Sequence, residues 1–156
     1  MFHQRALRVF TLVLLGASPA AARDIALVAN KNTSTSSITL PELVKVCKAQ
    51  TNRWPDGKAV TFVMRAPSAP EMTIVLQKVY GLSQSEVSDL IVNANHGRAG
   101  HPAIMVASSN EDLVNKVAST PGAVGVVDVY SINSSVSVVK IAGKLPLEPG
   151  YLLHGN

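Results

Sequence analysis

Cysteine is nearly absent from this chain of 156 residues, because Cys47 is the only one. A single cysteine excludes a disulfide within the chain, and with it the class of small disulfide-stapled scaffolds. Cys47 follows Leu43 at the i, i+4 spacing of one apolar helix face. Since free cysteine is among the most buried residue types, the pattern predicts a structural thiol rather than a reactive one.

Aromatic residues and clustered charge are also scarce. Aromatics make up 4% of the chain, while valine and isoleucine are frequent. This composition favours strands buried on both faces, as in a parallel or mixed sheet covered by helices. The lysines and arginines are scattered and form no basic run, so no nucleic-acid partner is expected. Arg5 and Arg8 carry two of the four net positive charges, and without them the chain has a formal charge of +2.

Long apolar runs are missing, and the apolar stretch at the N-terminus is short. Basic residues at Arg5 and Arg8 precede the apolar residues 9–17 and the small residues 20–22, the order of a secretory signal peptide. We expect residues 1–22 to be this signal, cleaved after Ala22, and the product to be periplasmic or secreted. Because about 20 apolar residues are needed to cross a bilayer, stable membrane insertion is not expected. A buried or membrane-anchored N-terminal helix is the alternative.

Strand and helix patterns alternate through residues 23–143, which predicts a single α/β domain. Residues 144–156 carry Pro146 and Pro149, and we expect them to form an irregular, loosely held tail. Short apolar runs predict strands at 25–29, 59–64, 102–106, 123–127 and 136–141.

Helix starts are indicated by four Ser/Thr-x-x-Glu patterns, in which the two side chains can cap each other's backbone N–H groups. The second of them predicts a helix that starts near Ser68 and ends near Gly81. The four patterns begin at Thr39, Ser68, Ser83 and Ser108.

Two turn motifs carry a family resemblance. Residues 52–57 read Asn-Arg-Trp-Pro-Asp-Gly, and residues 118–128 contain Thr-Pro-Gly-Ala-Val-Gly. In this order and separation they resemble one lobe of the phosphate-type solute-binding proteins of bacterial ABC uptake systems, over residues 25–142. The resemblance implies a periplasmic-binding-protein-like lobe with a mixed, mostly parallel sheet flanked by helices. It implies a domain that binds phosphate or a related oxyanion in association with transport.

For Trp54, a hydrophobic plug is the expected role, and stacking on a ligand is the alternative.

The resemblance points to Arg65 and Ser68 as anion-binding residues. At the second strand-to-helix junction the family carries an arginine, an acidic residue and Gly-Ser-Gly-Thr, whose donors converge on an oxyanion. This chain reads Arg-Ala-Pro-Ser-Ala-Pro-Glu over 65–71, without the glycines. Pro70 lacks an N–H group, and Glu71 adds a negative charge where an anion would lie. The alternatives are that Ser68 is a helix cap reciprocated by Glu71, which local spacing favours, and that Arg65 is a solvated charge.

A glycine-flanked loop supplies the third candidate, Arg98. The sequence His-Gly-Arg-Ala-Gly-His over 96–101 can form a backbone nest that contacts an anion together with Arg98, although an ordinary loop is the default reading. Its two histidines lack the further ligands that a zinc site needs, so no metal is expected.

Catalytic motifs are absent from the sequence. It has no Gly-x-Ser-x-Gly, His-Glu-x-x-His, phosphate-loop or dinucleotide-binding pattern, so we expect no enzyme and no cofactor. Besides an oxyanion, the partner is expected to be an envelope protein or a second lobe-like subunit. The alternative function is an envelope protein–protein interaction or scaffold module that has lost small-ligand binding.

Overall fold

The computed structural model of the protein describes residues 23–155. The predicted signal peptide, residues 1–22, lies outside this range. Within the described range, no helix has both the length and the apolar character required to span a bilayer.

Six strands form one mixed sheet with helices on both sides. Three of the strand pairings are parallel and two are antiparallel, as the resemblance implied. The strands are β1 (Ile25–Asn30), β2 (Ser37–Ile38), β3 (Thr61–Arg65), β4 (Ile104–Ala107), β5 (Ala123–Asp128) and β6 (Val136–Ile141), in the order β2-β6-β1-β5-β3-β4. The helices are α1 (Leu40–Cys47), α2 (Thr73–Val75), α3 (Gln84–Asn95) and α4 (Asn110–Ser119). A 3₁₀ turn (Pro70–Met72) precedes α2, and a π turn (Leu76–Tyr80) follows it.

The strands β3, β4 and β5 are parallel and end at the same edge of the sheet. Arg65 at the end of β3 pairs with Ala107 at the end of β4. The antiparallel β1 starts there, because Ile25 pairs with Asp128, the last residue of β5. We call this edge, marked by Arg65, Ala107, Asp128 and Ile25, the carboxyl edge.

Both faces of the central strands are buried, as the composition predicted. Leu27 faces the cluster under α1 and α3, whereas Val28 faces the cluster under α4. Cys47 lies in the first cluster with no exposed surface, and burial raises the pKa of its thiol. The prediction of a buried structural thiol is confirmed.

The two turn motifs that carry the resemblance touch each other. The indole Nε1 of Trp54 donates to the backbone oxygen of Gly122 at 2.7 Å, and Trp54 is 7% exposed. Gly122 has a φ of +79°, and a Cβ at this position would lie 2.1 Å from the backbone oxygen of Ala59. Trp54 is therefore a buried plug, as expected, and glycine is required where the second turn passes under the first.

Two predicted helix caps are wrong. The 3₁₀ turn begins at Pro70 after Ala69, without a side-chain cap, so Ser68 and Glu71 do not form the predicted pair. The carboxylate of Glu71 is bound by Arg65 instead. In the last pattern Ser109, rather than Ser108, caps α4 by accepting from the N–H of Asp112. The boxes at Thr39 and Ser83 are confirmed.

The tail has no helix, but the expectation that it is loosely held is wrong. Tyr151 and Leu153 are buried. The pairing of β1 with β6 begins only at Leu27, which leaves the backbone of Ile25 open on that side. The tail fills this gap, because Ile25 N–H donates to Leu153 O at 3.0 Å and Tyr151 Oη donates to Ile25 O at 2.8 Å.

Candidate functional site

Arg65 lies at the carboxyl edge with a carboxylate and an amide beside it. Its Nη1 donates to Glu71 Oε1 at 3.2 Å and approaches Asn110 Oδ1 at 3.5 Å. Asn110 Nδ2 donates to the same Glu71 oxygen at 3.0 Å. The Arg65 and Glu71 side chains are 19% and 20% exposed, so the cluster is half-buried and still open to solvent.

Local sequence explains how three elements meet at this point. The chain leaves β3 after Arg65 and turns tightly, with Ala69 N–H donating to Ala66 O at 2.8 Å. This turn places Glu71 in the 3₁₀ turn beside the strand end. Asn110 is the first residue of α4, which follows the neighbouring strand β4. Parallel pairing of β3 and β4 therefore brings the start of α4 next to Arg65.

Two polar atoms of this cluster are buried without a hydrogen-bond partner among residues 23–155. They are Arg65 Nε, a donor, and Glu71 Oε2, an acceptor. A buried polar group without a partner costs about 1–3 kcal/mol. The ion pair thus leaves one donor and one acceptor unmatched at the carboxyl edge, and a ligand that supplies the matching groups would recover that cost.

Ser68 lies on the turn between Arg65 and Glu71 and is exposed. Because it does not cap the following 3₁₀ turn, its hydroxyl is not held by the backbone N–H groups there. The structure therefore places Arg65 and Ser68 on the same turn at the carboxyl edge.

Arg98 is at the other end of the sheet. Its loop follows α3 and enters β4 at Ile104, which pairs with Phe62 near the start of β3. At about 3.3 Å per residue, the length of β3 separates this end from Arg65 by roughly 10 Å. Asn95 holds the loop, since its side chain donates to Ile104 O at 2.8 Å and accepts from Ile104 N–H at 3.0 Å. Arg98 does not join the Arg65 cluster.

The loop histidines are exposed, and residues 23–155 contain no group of three or more side chains suited to holding a metal ion. Glu111 and Asp112 lie in the first turn of α4, the helix that begins with Asn110, and Asp112 is paired with Lys116. Hydrogen bonds from the Ser108 backbone and from Lys116 lower the pKa of Asp112, which keeps it ionised. An anion at Arg65 would approach against the carboxylate of Glu71.

The sequence reading missed Asn110 and misjudged Glu71. Asn110 is separated from Arg65 by 45 positions and belongs to no recognised motif. Its one signal is its place near the start of the helix predicted to follow the strand at 102–106. Glu71 was interpreted as a local cap because its spacing from Ser68 fits one.

Two of the cavities on the described surface differ in their position relative to Arg65. The larger, about 580 Å³, lies between α1 and α3 beside Leu82 and Leu90, away from Arg65. Its polar lining residues are Lys48, Glu86, Asp89 and Asn93, and Glu86 is engaged in the α3 cap. The smaller, about 330 Å³, opens at the carboxyl edge between Tyr130 and the tail.

Comparison with solved structures identifies the fold. An ABC-type phosphate transport receptor from Vibrio cholerae matches with a TM-score of 0.64 and 18% identity over 80% of this chain and 48% of its own. PstS from Borrelia burgdorferi matches with a TM-score of 0.65 and 14% identity over 86% of this chain and 55% of its own. A phosphate-binding protein from Stenotrophomonas maltophilia matches with a TM-score of 0.63 and 16% identity over 80% of this chain and 40% of its own.

The protein therefore has the fold of a single lobe of phosphate ABC-transporter substrate-binding proteins, and it spans about half the length of these chains. The Vibrio cholerae protein is named as a transport receptor and the Stenotrophomonas maltophilia protein as a binding protein, neither as an enzyme. Comparisons with family models and with curated proteins found no match.

Proposed function

We propose that this chain is an exported, non-enzymatic solute-binding lobe that binds phosphate or a related oxyanion at the carboxyl edge, in association with transport. The observation that carries the proposal is the buried Nε of Arg65, which has no acceptor among the described residues. The fold supports it, since the structures similar to this chain include phosphate-binding proteins. A guanidinium at a strand end is a suitable anion ligand because its donors are fixed in a plane.

Arg65 and Glu71 together favour an anion that carries its own proton. Both Arg65 Nε and Glu71 Oε2 are buried and unpartnered among the described residues. When the groups that cover them move aside, Arg65 Nε can donate to an anionic oxygen and Glu71 Oε2 can accept from a hydroxyl group of the same ligand. Phosphate offers both groups near neutral pH, whereas sulfate has no proton to donate. The hydroxyl of Ser68, on the same turn, is available as a further contact. We therefore expect phosphate to bind more tightly than sulfate.

Calorimetric titration of the wild type, Arg65→Ala and Arg98→Ala with phosphate tests this function. Arg65→Ala is expected to weaken binding by about 1.5–3 kcal/mol, roughly tenfold or more, because a charge-assisted hydrogen bond is lost. Arg98→Ala removes the same charge at the opposite end of the sheet and is the matched control. It should change the Kd less than twofold.

Glu71→Gln is a further variant for the same titration, and it tests the part that the carboxylate plays in anion selectivity. It removes the negative charge beside Arg65 while keeping the side-chain shape, so repulsion of the anion falls and the preference for phosphate over sulfate narrows. Equal loss in Arg65→Ala and Arg98→Ala, or no heat of binding from the wild type, would contradict the proposal.

The second candidate is an envelope interaction or scaffold module without a small ligand. It is favoured by the engagement of Arg65 Nη1 with Glu71 and Asn110 and by the acidic first turn of α4. On this account Arg65 is structural. Arg65→Ala would then lower the melting temperature equally with and without phosphate, and Glu71→Gln would not create anion binding.

A further inference from the structure

The cavity of about 330 Å³ at the carboxyl edge is formed by three parts of the chain that lie far apart in sequence. One wall comes from the residues before β1, another from the turn after β5, and the third from the tail. Its lining includes Arg23, Asp24, Tyr130, Leu147, Tyr151 and His154.

This cavity lies on the same edge of the sheet as Arg65. The strands β1, β5 and β3 are consecutive neighbours in the sheet. The pairing of Val63 with Gly125 puts Arg65 level with Val127, and Tyr130 follows three positions later. Because neighbouring strands lie about 4.8 Å apart, the strand that starts beside the cavity is roughly 10 Å from the strand of Arg65. One organic molecule can reach both places.

Tyr130 forms an exposed aromatic wall of the cavity. It is 72% exposed, which is unusual for a large ring in a folded domain. The guanidinium of Arg23 lies over this ring, 5.3 Å from its centre. Asp128, which is buried, holds Arg23 through a 3.1 Å ion pair. The ring is thus positioned by a partner that is itself fixed.

The charged groups that line the cavity, Glu148 included, are each engaged by another part of the chain, since Glu148 Oε2 accepts from the Leu145 N–H. Asp24 accepts from the Leu147 N–H at 2.6 Å and pairs with His154 Nδ1. Arg23 is neutralised by Asp128. Apart from these charged groups and Gly150, the walls are Leu147, Pro149 and the two tyrosine rings, which are largely apolar. A cavity of this kind suits a neutral planar group better than a second charge.

We propose that this cavity is a subsite for the aromatic or heteroaromatic ring of an organic anion whose charged end is bound at Arg65. The inference rests on the proposed function, which it extends from inorganic oxyanions to ring-bearing phosphate esters. The volume is at the lower end of the roughly 300–1,000 Å³ typical of ligand pockets, enough for one ring and its linker.

Calorimetric titration with inorganic phosphate, butyl phosphate and 4-phenylbutyl phosphate, whose four-carbon linker lets the ring lie about 10 Å from the phosphate, tests it on the full chain. Stacking on Tyr130 should make 4-phenylbutyl phosphate bind roughly three- to tenfold more tightly than butyl phosphate. Tyr130→Ala is expected to abolish this preference and to leave the Kd for inorganic phosphate unchanged. Tyr130→Phe keeps the ring and should keep the preference.

The two esters separate this inference from the proposed function. If inorganic phosphate binds through Arg65 but the esters bind equally, the ring subsite is wrong and the anion site stands. The same holds if the preference persists in Tyr130→Ala. If none of the three ligands binds, both proposals are overturned.

Discussion

At the scale of single residues, Glu71 determines the roles of two neighbours. Its Oε1 is taken by Arg65 Nη1 and Asn110 Nδ2, which draws the carboxylate away from the backbone before the 3₁₀ turn. Ser68 is left without the reciprocal cap that local spacing predicted. Arg65 in turn keeps its Nε free of a described partner. One non-local ion pair thus overrides a local motif and leaves the atoms that we propose for ligand binding.

Ser68→Ala should therefore change the free energy of unfolding by less than about 0.5 kcal/mol, as for an exposed surface site. Ser83 provides the matched control, because its hydroxyl accepts from the Glu86 N–H in a complete capping box. Ser83→Ala should cost about 0.5–2 kcal/mol. Urea unfolding of both variants measures the difference. An equal loss of unfolding free energy at the two serines would mean that Ser68 does cap the following turn.

At the scale of elements, the two turn motifs contact each other at the edge of the sheet opposite the carboxyl edge. Gly122 combines a φ of +79° with a 2.1 Å approach of its missing Cβ to Ala59 O. Gly81 has a φ of +60° with open space around it. Gly81→Ala should cost roughly 1–2 kcal/mol for the left-handed backbone alone. We expect Gly122→Ala to cost clearly more, since backbone must also move.

Urea unfolding curves of the two alanine variants check this prediction. Equal losses at Gly81 and Gly122 would mean that the second turn relaxes freely away from Ala59, and that this close approach is not a constraint on the fold.

Local patterns predicted the elements better than the contacts between them. The five predicted strands and the caps at Thr39 and Ser83 follow from short-range spacing, and the structure has them, whereas the two-residue strand β2 was not predicted. The capping error at Ser68 and the omission of Asn110 share a physical cause, because both depend on a contact between segments far apart in sequence. The buried tail was missed for the same reason, as its role is to fill the open backbone of Ile25.

At the scale of the whole molecule, the sheet topology determines at which edge of the sheet each predicted site residue lies. Arg65 and Ser68 lie at the carboxyl edge, whereas the loop of Arg98 enters β4 at the opposite edge. No motif spacing distinguishes these positions, since both follow from which ends of β3 and β4 meet. The lobe therefore presents one edge on which Arg65 and the Tyr130 cavity lie together.

The side-chain Nε–Hε resonance of Arg65 during a phosphate titration tests the central claim most directly. The Arg65 resonance is assigned as the one that is missing from the spectrum of Arg65→Lys. The resonance of Arg98 serves as the internal reference. We predict a saturable shift of the Arg65 Hε signal with the same Kd as calorimetry, while the Arg98 signal stays in place. An unmoved Arg65 signal at saturating phosphate, or a shift at Arg98 instead, would contradict an anion site at the carboxyl edge.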